Sequence, residues 1–176
     1  QMNPDEAELY ETPEDLFYAL IQEGLEKKVI EKGKEVDQYL DRLDTEMKVI
    51  QKGGFIDYFL ILWDVANFCK KNDILVGLGR GSAAGCLVSY LIGLVQVDPL
   101  EYGLLFERFL NEGRLGKSLP DVDCDFEAER KAEIKTYIEE KYGKDRFCSV
   151  GTYSSLQLRQ AFIDFSKLNN LSPGTV

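Results

Sequence analysis

Between Pro120 and Phe126 three aspartates alternate with apolar residues, Asp121-Val122-Asp123-Cys124-Asp125-Phe126, and few folds accommodate that pattern. Side chains alternate faces along a strand. The period therefore predicts a strand over residues 119–126, with the carboxylates on one face and Val122, Cys124 and Phe126 on the other. Same-face neighbours have Cα atoms about 6.5–7 Å apart, so three carboxylates repel unless cations neutralise them. Aspartate is a poor strand former, which makes a merely solvated acidic edge the weaker explanation. The spacing suits two carboxylates jointly holding Mg²⁺, a hard cation that takes oxygen ligands. Two such ions about 3.5–4 Å apart can activate an attacking oxygen and stabilise a leaving one. A calcium loop also opens D-x-D-x-D. Here, however, Phe126 stands where that loop needs glycine, and Ala132 where it needs a bidentate glutamate.

Upstream, Gly77, Gly79, Gly81 and Gly85 punctuate a change from the β-type run Ile74-Leu75-Val76 to a helix predicted over residues 86–92. Glycine allows backbone conformations and close approaches that other residues do not. A helix N-terminus beside such a turn offers unpaired N–H groups and partial positive charge to phosphate. Arg80 adds a forked cation and Ser82 a hydroxyl. The turn matches neither a Walker A loop nor G-x-G-x-x-G. Tight packing of a turn against a sheet is the plain alternative. The acidic run favours phosphate, because a nucleoside triphosphate needs both anion-binding amides and carboxylates for its Mg²⁺.

The rest of the chain reads as helix-rich α+β with a small sheet. Helices are predicted from Pro13 through Leu25, over about 35–52, 57–72, 102–110, 127–142 and 154–168, with a further strand over 147–150. The helix over 57–72 is apolar nearly all round, which predicts burial. Residues 1–12 read as a flexible lead-in, 13–168 as one domain, and 169–176 as a terminal loop. Gln1 in place of an initiator methionine suggests a piece of a longer polypeptide.

Composition narrows the chemistry. With no histidine and four scattered cysteines, a zinc site and Ser/His or Cys/His nucleophiles are ruled against. The cysteines read as free thiols in a reducing cytoplasm. No apolar run is long enough to span a membrane. Net charge is −10, concentrated at the start: residues 1–50 hold 14 acids and 6 bases, residues 51–176 hold 17 and 15. There is no basic stripe for gripping DNA.

The motifs taken together resemble one family. Gly77-Leu78-Gly79-Arg80-Gly81-Ser82-Ala83-Ala84-Gly85 is similar to its G-P-G-R-G-S-G-A-G-S loop, and Leu119-Pro120-Asp121-Val122-Asp123-Cys124-Asp125-Phe126 to its M-P-D-F-D-V-D-F strand. Asp98-Pro99-Leu100-Glu101, Leu105-Phe106-Glu107-Arg108-Phe109-Leu110-Asn111 and Gly54-Phe55-Ile56-Asp57-Tyr58-Phe59-Leu60-Ile61 resemble further segments in the same order. The family is the C-family of bacterial replicative DNA polymerases, the α subunit of DNA polymerase III and its phage relatives.

The resemblance implies an incomplete palm of polymerase-β-like nucleotidyltransferase fold. It implies that Asp123 and Asp125 are the catalytic, metal-binding carboxylates for two Mg²⁺ ions, and that Asp121 matches an aspartate not usually counted as a ligand. It places Arg80, Gly81 and Ser82 on the phosphates of the incoming dNTP. Gly151-Thr152-Tyr153 resembles a later G-T-x-G-T stretch, with Ser154 in place of its second glycine, and Arg159 stands where the family often carries lysine near the active site. The family's third catalytic aspartate falls beyond Val176, as do its thumb and fingers. Primer–template DNA, the sliding clamp and other replisome subunits are the implied partners, the last two through regions absent from this chain. The expected function is template-directed DNA synthesis by the parent protein, with the isolated chain inactive. Two rivals stand beside it: a non-enzymatic metal- or nucleotide-binding domain, and a metal-dependent nuclease.

Overall fold

Thr12 starts the first helix, α1 (Pro13–Leu25), through a reciprocal cap. Its hydroxyl accepts from the Asp15 N–H at 3.1 Å, and the Asp15 carboxylate accepts from the Thr12 N–H at 3.0 Å. The pair satisfies donors that a helix start leaves unpaired. The structure, a computed structural model, describes residues 10–116 and 120–170. Most of the predicted lead-in, Leu119 of the predicted strand and residues 171–176 of the predicted terminal loop lie outside the described residues.

α1 runs on into a π-helical turn, Glu26–Ile30. α2 (Val36–Gly53) ends at Gly54, whose left-handed φ of 67° lets its N–H return to the last turn. α3 (Ile56–Lys71), the five-residue α4 (Leu87–Leu91), α5 (Lys131–Tyr142) and α6 (Leu158–Leu168) follow. Short 3₁₀ turns occupy Ser82–Gly85, Phe106–Arg108, Glu112–Arg114 and Ala128–Arg130. The chain divides into two compact units, Gln1–Gly143 and Lys144–Val176.

The core of the first unit forms around α4, whose five residues are all buried. Phe17 of α1, Ile50 of α2, Phe59 of α3 and Phe106 pack into one cluster with Leu87 and Val88. The Phe59 ring lies 5.9 Å from Phe17 and 6.2 Å from Phe109, distances that suit tilted and edge-on aromatic contact. Inside this apolar mass Asp98 accepts from Lys34 at 2.6 Å, Tyr39 at 2.7 Å and the Leu100 N–H at 3.0 Å. Burial pushes its carboxyl upward, but these three donors outweigh it and hold it below its ordinary value. A smaller cluster, Val65, Cys69, Ile74 and Ile134 with Val76 and Phe126 against it, joins α3 to α5. There Phe68 stacks on Tyr137 at 3.9 Å, and buried Asp64 accepts from Tyr137, Lys141 and Tyr142. In the second unit α6 exposes Leu158, Phe162, Phe165 and Leu168.

The α+β class is corrected here. The described residues are helical and contain no strand, so the small mixed sheet of a polymerase-β-like palm is absent from them. One antiparallel bridge, Val76 with Phe126, is all that forms, flanked by Gly77 N–H to Asp125 O at 2.8 Å and Glu127 N–H to Leu75 O at 3.1 Å. The reason is length. Five residues, Asn72 to Val76, separate the end of α3 from the glycine turn, and after the turn at Asn72 and Asp73 only Ile74, Leu75 and Val76 can extend, too few for a ladder of alternating pairs. Pro120–Asp125 and Phe147–Val150 likewise lie outside any strand. The helix predicted over 102–110 is a series of turns around Phe106–Arg108, and the last helix starts at Leu158 instead of Ser154. α3 is not buried all round, since Ile61 is 43% exposed.

Phe59→Ala removes the ring at the centre of the main cluster. It is expected to lower unfolding free energy by about 3–5 kcal/mol, read from urea denaturation as a lower midpoint at unchanged m-value.

Candidate functional site

The segment 120–126 keeps its two faces without being a strand. Val122 packs against the main core and Phe126 against the smaller cluster, while Asp123 and Asp125 turn to the opposite side. That side meets Arg80 of the glycine turn. The Arg80 Nε donates to Asp125 Oδ1 at 3.1 Å, and its Nη2 lies 3.7 Å from Asp123 Oδ1. One guanidinium thus bridges both carboxylates across a gap of more than forty residues in sequence. All three side chains are open to solvent, at 59%, 41% and 62% exposure for Arg80, Asp123 and Asp125. An ion pair this exposed contributes about 0–1 kcal/mol, so it positions the groups without locking them.

Two backbone contacts hold the start of the turn, the first of them to the acidic segment. The Gly77 N–H bonds Asp125 O at 2.8 Å, and the Gln96 N–H bonds Leu78 O at 2.7 Å. Gly81 sits directly over Asp123: a Cβ built there would stand 2.5 Å from Asp123 Oδ2. Its φ of 70° is one that side chains rarely adopt, so both backbone and space call for glycine. Ser82 is exposed and opens the 3₁₀ turn. The N–H groups of Gly79, Arg80, Gly81 and Ser82 donate to no protein acceptor among the described residues.

The N-terminus of α4 differs from expectation. Its N–H groups at Leu87 and Val88 are taken by the Glu46 carboxylate at 2.9 and 3.0 Å, inside the core. They are therefore not available to phosphate. Glu46 also accepts from Arg42 Nε at 2.7 Å, and Arg42 Nη2 donates to Gly85 O at 2.7 Å and Leu104 O at 3.0 Å. Burial pushes the Glu46 carboxyl upward, opposed by the two backbone N–H groups and the guanidinium. Sequence reasoning missed this pair. The signal was present: Glu46 occupies a place in the apolar stripe Tyr39, Leu43, Ile50 of α2, with Arg42 one turn before it.

Asp121 is exposed and stands outside the Arg80 bridge; its charge is felt by Tyr58, whose phenol burial and this neighbour push upward. Tyr58 in turn donates to Pro120 O at 2.8 Å, fastening the start of the segment to α3. Cys124, half-buried, has its thiol pushed up by burial and then by Asp123 and Asp125. Arg159 is exposed on α6 in the second unit. Among the described residues no group of three or more His, Cys, Asp or Glu side chains is placed to hold a metal ion. No helix among them is long and apolar enough to cross a membrane.

Comparison with known proteins adds a second line. The family model described as "Bacterial DNA polymerase III alpha NTPase domain" matches residues 15–176. The DNA polymerase III subunit alpha of Aquifex aeolicus (strain VF5) is 42% identical over 166 residues, covering 93% of this chain and 14% of that protein. The subunit of the same name from Caulobacter vibrioides (strain NA1000 / CB15N) is 43% identical over 140 residues, 80% of this chain and 12% of the relative. That from Staphylococcus aureus (strain MRSA252) is 42% identical over 132 residues, 75% and 12% respectively. The chain therefore spans about a seventh or less of the length of these relatives.

Gly81→Ala separates the two reasons for glycine. Gly33 has a similar φ of 67° but open space around it, so Gly33→Ala measures backbone strain alone. Gly33→Ala is expected to lose about 1–2 kcal/mol and Gly81→Ala about 1–3 kcal/mol, because φ 70° with ψ −161° is a conformation essentially reserved for glycine, while the flexible Asp123 carboxylate can swing away from the new methyl group. Gly81→Ala alone should shift the carboxyl ¹³C resonance of Asp123.

Proposed function

Because the chain belongs to the bacterial DNA polymerase III alpha-subunit family, we propose that its Asp123–Asp125 edge and Gly77–Gly85 turn serve nucleotidyl transfer from a dNTP to a primer 3′-hydroxyl. In this reading the parent protein is a template-directed DNA polymerase acting on primer–template DNA. Contacts with a sliding clamp and other replisome subunits belong to the same proposal. The observation that carries it is the Arg80 bridge, which brings a triphosphate-binding type of turn and two carboxylates to one exposed spot.

The donor set fits magnesium. Mg²⁺ is commonly held by one or two carboxylates plus substrate phosphates and water, not by an all-protein cage. Asp123 and Asp125 supply two carboxylates, exposed and already converged on a cation. When bound, Mg²⁺ supplies activation of the 3′-hydroxyl and neutralisation of charge on the triphosphate and leaving pyrophosphate. The chain's own part is to bind and orient. Arg80, held by an exposed pair of small strength, gives up the carboxylates and turns its forked donors to phosphate. The four unpaired amides at Gly79–Ser82 present N–H groups to the same phosphates. Template sequence is read by base pairing and asks nothing of these residues.

Titration of the chain with Mg²⁺ and a dNTP tests the reading by calorimetry. Asp123→Ala and Asp125→Ala are each expected to weaken binding at least about tenfold, a loss of about 1.4 kcal/mol. Arg80→Ala is expected to weaken triphosphate binding while metal binding persists. Unchanged binding in both aspartate variants would refute the metal assignment.

A further inference from the structure

Glu46 is a fully buried acid whose bonds run either to its own helix or to the end of the glycine turn. Its two oxygens accept from the Leu87 and Val88 N–H groups and from Arg42, and the Cys86 thiol donates to Oε2 at 3.3 Å. Arg42 adds the complement, donating to the carbonyls of Gly85 and Leu104. Together the pair grips both the last carbonyl of the turn and the first N–H groups after it.

We propose that Arg42 and Glu46 are positioning residues for the triphosphate: they pin Gly85–Val88 from the core side, so that Arg80 and the Gly79–Ser82 amides face the Asp123–Asp125 edge. The inference rests on the function proposed above and adds residues that never touch substrate. The physical ground is a contrast between stability and geometry. A buried ion pair gains little over a well-packed apolar pair, because desolvating two charges offsets their attraction. An apolar pair, however, cannot accept N–H groups that point into the core or donate to Gly85 O. The turn between the pins holds Gly77, Gly79 and Gly81, residues with little conformational preference of their own. Its outer end is tied to the acidic segment by Gly77 N–H and Asp125 O. With the inner end loosened, the backbone bonds that tie the turn to its neighbours, at Gly77 and Leu78, all lie before the amides of Gly79–Ser82.

The test compares binding of Mn²⁺ alone with binding of Mn²⁺ plus dATP in the wild-type chain, Glu46→Ala, Glu46→Gln, Arg42→Ala and Asp98→Asn. Each is measured at a temperature where circular dichroism shows it folded. Asp98 is the control, a buried carboxylate of the same core that bonds Lys34 and Tyr39 and does not touch the turn. Expected are at least tenfold weaker dATP binding in Glu46→Ala and Arg42→Ala, with Mn²⁺ alone within twofold of wild type. Glu46→Gln, which keeps one acceptor oxygen and the side-chain volume, is expected to recover part of the loss, and it carries the test where Glu46→Ala unfolds. An equal loss in Asp98→Asn, or full dATP affinity in folded Glu46 and Arg42 variants, would overturn the proposal. If the wild-type chain itself binds no dATP, the functional reading fails, and amide hydrogen exchange decides the positioning role separately. Faster exchange in Glu46→Gln confined to residues 79–88 upholds it; exchange unchanged there overturns it.

Discussion

A five-residue helix buried on every side must find partners for its first N–H groups inside the core, and in this chain Glu46 provides them. Much of the rest follows from that requirement. The acid must sit on α2 with α4 against it, and Arg42 must lie one turn earlier to balance the charge. α1 can close over α4 only because Gly24 leaves room: a Cβ there would stand 2.3 Å from Leu91 O. The apolar cluster fills the space these polar contacts define. Hydrophobic burial supplies most of the stability, but it does not choose which backbone groups face inward.

The same arrangement sets the character of the exposed site. Because Glu46 consumes the helix N–H groups, the amides of the glycine turn and Arg80 are the donors left on this side of the chain. Arg80 rests meanwhile on Asp123 and Asp125, an association weak enough for exchange. A chain of net charge −10 thereby keeps one cation opposite its acidic edge. The contact is geometric more than energetic, since the Gly77–Asp125 backbone bond and the Gly81–Asp123 approach hold the two segments together independently of the guanidinium.

How much of this was legible in the sequence depended on whether the signal was local. The helices from Pro13 through Leu25 and over about 35–52, and the alternation of Asp123 and Asp125 with Val122 and Phe126, could be read directly, since each is decided by neighbours in sequence. The strand over 119–126 could not, because alternation specifies two faces and not a partner, and Ile74–Val76 offers room for a single bridge. The helix expected over 102–110 broke into turns around Phe106–Arg108, where burial of Phe106 and Phe109 mattered more than helical propensity. Glu46 escaped notice because a charged residue in an apolar stripe reads as a flaw until its partners, 41 and 42 residues away, are known.

On the proposed reading the glycine turn and the acidic segment form one cation-dependent site. Paramagnetic broadening by substoichiometric Mn²⁺, followed in the amide spectrum of the chain, tests it most directly. Resonances of residues 79–82 and 122–126 are expected to broaden together and before all others, and Asp125→Asn to abolish the effect in both segments at once. Broadening centred on the acid-rich surface of residues 10–50, or in the acidic segment with the turn untouched, would contradict it.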